Sequence, residues 1–191
     1  MLGFFDRRLR AWHLWVGLLA VVALDLAMML VTVPRLAEFS GGGLMFDLRI
    51  GGYSPRRAAV YLADLGEAGR AYYAAVHVPV DTVFAVIEAV VLALIILWFT
   101  RPGARFIVPL PQFWRWVAAT LPFAAGAFDL RENMLVSEML SSAGQLDPGL
   151  VRAASFATQM KWGFAFIAIA LAFALACAAW IRARKSTSIS R

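Results

Sequence analysis

Phe128-Asp129-Leu130-Arg131-Glu132-Asn133 places three ionisable side chains and an amide inside the otherwise apolar segment Trp114 to Leu140. At helical spacing Asp129, Glu132 and Asn133 stand at i, i+3 and i+4 and share one face, while Arg131 points elsewhere. A charge at the centre of a bilayer costs at least about 2.5–3.5 kcal/mol, so such a face turns toward the interior of a bundle and finds partners there. The rest of the chain reads as walls around it.

The composition agrees with a membrane setting. Of the 191 residues, 62% are hydrophobic and 16% charged, against about 25% charged in an ordinary soluble domain. The net charge of +6 does not point to nucleic acid, because the basic residues follow helix ends. Cys177 stands alone, which excludes a disulfide framework, a thiol pair and a cysteine-based metal centre. Length and the absence of repeats suit one domain over 1–191.

Outward from the central stretch, the expected architecture is all-α: a polytopic membrane protein, a four-transmembrane-helix bundle with helices at about 11–33, 71–99, 114–140 and 153–181. The first run has 23 residues, enough to cross a core of about 30 Å; Pro34 is expected to end it. The outer loop 34–70 holds two signals. Phe46, Leu48 and Ile50 alternate with Asp47 and Arg49, the pattern of a short strand. Ser54-Pro55, then Ala58, Tyr61, Leu62 and Leu65, then Gly66, predict a capped amphipathic helix lying over the bundle.

Orientation follows from charge. The N-terminus, the connection from Arg101 to Arg115 and the C-terminal tail carry ten of the 18 Lys and Arg residues and one acid, Asp6. Both ends are therefore expected inside, in a bacterial inner membrane. Trp12, Trp15, Trp98, Trp114, Trp116 and Trp180 would form the inner aromatic belt, and Tyr53, Tyr61, Tyr72 and Tyr73 the outer one. Counted from the tryptophans, Asp25 and Asp129 fall roughly 20 Å deep, Glu132 and Asn133 about 25 Å, Asp81 about 26 Å, Lys161 about 28 Å and Glu88 about 15 Å.

This depth count sets the candidate ligand-binding residues: Asp25, His77, Asp81, Asp129, Glu132, Asn133, Lys161 and, beside it, Trp162. Acids outnumber bases in the layer, which suggests a cationic guest. The competing reading makes the layer structural, with Lys161 paired to Asp129 or Glu132 and Arg131 reaching outward. His13 and His77 lie roughly 30 Å apart and cannot share a haem or a metal. His77 and Asp81 stand at i, i+4, an available acid-base pair. No spaced ligand motif predicts a metal, and no cofactor is expected.

With Asp25-Leu26 running on to Pro34-Arg35, Asp81 followed by Val83-Phe84, and Thr120-Leu121-Pro122 leading to Asp129, the chain resembles the EXPERA superfamily of emopamil-binding sterol isomerases and sigma-two-type receptors. The resemblance implies a membrane pocket in which paired carboxylates face a cationic centre or a carbocation-like intermediate. Lys161 and the crowded Asp129-Arg131-Glu132 stand outside it. The expected partner is thus a membrane lipid or lipophilic small molecule, with isomerase-like chemistry as one form of the function. The alternative is a non-enzymatic membrane subunit, a homo-oligomer or an assembly partner of another membrane protein. A cation-coupled transporter ranks lower, since no inverted repeat or broken-helix signature is visible.

Overall fold

The computed structural model describes residues 9–102, 110–142 and 146–189, and these are 87% helical with no strand. Asp6, Arg7, Arg8, Arg105, Arg191 and the middle of the turn before Asp147 lie outside the described residues. Four long helical stretches are present: α1 (Ala11–Phe39), α2 (Pro55–Phe99), α3 (Gln112–Ser141) and α4 (Pro148–Ile189). By length and composition α1, α2 and α4 are apolar enough to cross a membrane. α3, which carries Arg115, Asp129, Arg131, Glu132 and Glu138, packs between α2 and α4 and buries Asp129, Glu132, Asn133 and Val136 along its inner face. Arg131 is exposed. Large side chains such as Leu19, Leu30, Val86 and Phe173 cover the outside of the other three helices.

Pro34 does not end α1. The helix widens into a π turn over Met28–Thr32, closed by the Val33 amide donating to the Met28 carbonyl, and runs on as α-helix through Val33–Phe39. A proline inside an α-helix removes one hydrogen bond and clashes with the carbonyl four residues back; the wider turn accommodates both. α2 repeats the device. Its π turn, Tyr73–His77, precedes Val78-Pro79 as Met28–Thr32 precedes Val33-Pro34. Thr32 and His77, the last residues of the two turns, meet with Oγ1 and Nδ1 2.7 Å apart.

The segment between α1 and α2 folds inward. Phe46–Leu48 is a single 3₁₀ turn, so the expected strand is absent. Its alternation arises because Phe46 and Asp47 are both buried by neighbouring elements, whereas Arg49 lies over the rings of Phe46 and Tyr61 and donates to the Leu44 carbonyl. Gly52, at φ +79, seats the loop on α4: a Cβ there would lie 2.7 Å from Ser155 Oγ, which accepts from the Tyr53 amide.

The amphipathic helix appears as expected. Ser54 Oγ accepts from the Arg57 amide, Ala58, Tyr61, Leu62 and Leu65 are all buried, and Gly66 breaks the helix with φ +62. The tyrosine belt does not. Tyr53, Tyr61 and Tyr73 are buried, packed around Phe46 in the main apolar core. The Tyr73 phenol donates to Asp47, and the place of all three near the helix ends mimics an interfacial belt. Trp12, Trp15, Trp114, Trp116 and Trp180, at the other end of the helices, are exposed.

Candidate functional site: a buried acidic cavity

Lys161, on the inward face of α4 and 7% exposed, organises the polar interior. Its three donors meet three carboxylates: Glu132 Oε2 at 2.8 Å, Asp129 Oδ1 at 2.9 Å and Asp47 Oδ1 at 3.2 Å. The i, i+3 spacing on α3 presents Asp129 and Glu132 side by side, and the 3₁₀ turn lowers Asp47 from the lid. Glu132 also accepts from Thr158 Oγ1 at 2.6 Å.

Asp47 ties the lid to α2 and α4. Tyr73 donates to Oδ2 at 2.5 Å, Trp162 Nε1 donates to its backbone carbonyl at 2.7 Å, and His77 Nε2 stands 3.6 Å from Oδ2. Burial works against ionisation here, but the Lys161 charge, the His77 contact and the Tyr73 hydrogen bond together hold the Asp47 carboxyl well below the usual range. On α2, Asp81 is buried and accepts from Asn133 Nδ2 at 2.8 Å.

Beside this network lies a cavity of about 290 Å³. α1 packs along α2, α2 along α3 and α3 along α4, whereas α1 and α4 flank the cavity without packing closely on each other. Val21, Val22 and Met29 of α1 face Ala165 and Ile169 of α4 across it, and Phe84 closes the α2 side. The acids on its wall are Asp25, Asp47, Asp81, Glu88 and Asp129. Asp25 and Glu88, both half-buried, make no hydrogen bond or ion pair among the described residues.

Of the residues picked out from sequence, His77, Asp129, Glu132, Lys161 and Trp162 thus belong to one network joined through Asp47 and Lys161, the Asp81–Asn133 pair lies next to it, and Asp25 faces it across the cavity. Sequence reasoning missed Asp47, the residue that joins them, together with Tyr73, Thr32 and Thr158. A lone acid between Phe46 and Leu48, ahead of Gly51-Gly52, was the available signal for Asp47; the paired Thr32-Val33-Pro34 and His77-Val78-Pro79 was the signal for the other contact.

The network is not charge-balanced. Asp47, Asp129 and Glu132 surround a single lysine, and buried Asp81 beside them is met by an amide; uncompensated carboxylates in a dry interior call for protons, a bound cation or a cationic guest. Comparisons with protein-family models, with curated proteins and with solved structures find no match. The functional reading therefore rests on this geometry.

Proposed function

We propose that the chain is an integral membrane protein whose four long helices span a bacterial inner membrane with both ends cytoplasmic, and that its cavity binds a lipophilic small molecule or lipid bearing a cationic centre. The observation that carries this reading is the pairing of an apolar cavity of about 290 Å³ with Asp25 and Glu88, two wall carboxylates that no side chain of the protein neutralises among the described residues. Pockets for small molecules are mostly apolar with a few placed polar groups. The guest's cationic centre would sit between Asp25, Glu88 and Asp129, with its apolar body along Val22, Phe84 and Ile169. The gap between α1 and α4 gives such a molecule a lateral route from lipid.

The test is thermal stability of purified protein against a panel of lipophilic amines. A positive shift is expected for the wild type, and it should vanish in Asp25→Asn/Glu88→Gln while the unliganded melting temperature holds, because the amides remove charge and keep shape. No shift for any amine in the wild type would count against the reading. The EXPERA-like form of the proposal adds isomerase-like chemistry, with Asp25 and Asp81 stabilising a carbocation-like intermediate.

A second reading is favoured by one observation, the engagement of all three Lys161 donors. On that reading the network is scaffold, and the protein is a non-enzymatic subunit whose crosslinking in native membranes would yield one stoichiometric partner.

A further inference from the structure

We propose that Asp47, His77 and Asp81 form a binding site for one divalent first-row transition-metal ion at the lid end of the cavity. The site opens on the same cavity but uses neither Asp25 nor Glu88, so it does not depend on the amine-binding reading carried by those two acids. One ligand atom from each of the three buried residues lies within 4.8 Å of the others. An acidic cluster alone would not justify an ion. The histidine does.

Thr32 Oγ1 lies 3.2 Å from the Met28 carbonyl, to which it donates, and 2.7 Å from His77 Nδ1. In the neutral ring that binds a metal, Nδ1–H donates to Thr32 Oγ1 while the hydroxyl donates to Met28, and the Nε2 lone pair turns inward. That nitrogen is buried and has no hydrogen-bond partner among the described residues; it faces Asp47 Oδ2 at 3.6 Å. The separation exceeds a hydrogen bond. It matches the spacing of about 3.3–3.6 Å between two ligands of one tetrahedral ion bound at about 2.0–2.2 Å. Asp81 supplies the third ligand, and the remaining position opens on the cavity.

Each ligand is held from behind. Thr32 orients His77, Tyr73 donates to Asp47 and Asn133 donates to Asp81, the outer contacts that fix metal ligands and tune their basicity. An imidazole with two carboxylates suits Zn²⁺, Mn²⁺ or Fe²⁺ better than Mg²⁺ or Ca²⁺. The neighbouring acidic group, Asp47 with Asp129 and Glu132, is also compact, but the Lys161 ammonium already occupies its centre at 2.8–3.2 Å. Sequence spacing pairs His77 with Asp81 but could not show the third ligand, because Asp47 comes from the lid turn.

The experiment uses full-length, chelator-treated protein in nanodiscs, with the metal alone as probe. One equivalent of Zn²⁺ is expected to bind by calorimetry, and Mn²⁺-loaded protein should show nitrogen coupling from one imidazole by pulsed electron paramagnetic resonance. His77→Ala and Asp81→Asn should weaken Zn²⁺ binding by more than about 100-fold, and Thr32→Val, which removes only the outer contact, by about 10-fold. Asp25→Asn/Glu88→Gln should bind Zn²⁺ as the wild type does, which separates this site from guest binding. Failure of the wild type to take up Zn²⁺ at micromolar concentrations overturns the proposal. So does bound Mn²⁺ without nitrogen coupling, a readout that needs no variant to fold.

Discussion

The two ends of the helix bundle are built on different principles. At the lid end, side chains far apart in sequence are tied by directed contacts: Asp47 to Lys161, Thr32 to His77, Asp81 to Asn133, over an aromatic cluster around Phe46. At the tryptophan end the buried cluster is small, Ile96 with Ala118, Ala172 and Leu175, and small residues let the helices approach closely. There, buried Arg115 donates to Thr100 Oγ1 and the Leu97 carbonyl at the C-terminal end of α2. The lid end gains specificity from polar contacts that are costly to break, and the tryptophan end relies on shape.

Breaking the lid end at its centre should have the largest effect. Lys161→Met leaves Asp47, Asp129 and Glu132 without their shared cation, and the expected loss is about 3–5 kcal/mol, read as a fall in melting temperature in detergent. A loss under about 1 kcal/mol would mean that the carboxylates are neutralised by something other than the lysine. At the tryptophan end, Ile96→Ala opens a cavity among alanines that cannot close it, and about 2–3 kcal/mol should be lost with the amine and metal responses of the lid end unchanged.

The smallest effect sharpens the comparison through pH. The folded Asp47 carboxyl titrates below its unfolded value of about 3.9. Its contribution is therefore fully present above that value and is lost as pH falls through and below it. Between about pH 5 and 8 this contribution is complete, so the group should add no pH dependence to the wild-type melting temperature, and Asp47→Asn should show a shallower acid limb in a pH series of thermal scans. An acid limb of unchanged slope would remove Asp47 as its source.

The helical positions, the capped lid helix with its Gly66 break and the shared face of Asp129, Glu132 and Asn133 were legible because each is local, set by spacing within a turn or two. Lys161 as their partner was legible too, as the sole lysine in an apolar run. What stayed hidden was tertiary. Asp47 sits in a stretch whose alternation imitates a strand, and its partner lies 114 positions away. The proline at position 34 reads as a helix stop unless the π turn before it is known, and the tyrosines read as interfacial until the loop folds back over them.

The position of Lys161 late in the chain also bears on biogenesis. Chains emerge N-terminus first, so Asp47, Asp129 and Glu132 are synthesised 114, 32 and 29 residues before their cation. In the membrane reading proposed above, α3 alone would place two acids in the bilayer with no counterion, a costly arrangement. On that reading α3 is expected to wait for α4, the two entering together as a hairpin. On the same reading the lid turn can lock onto Lys161 only afterwards, and the polar network would be the last contact to close.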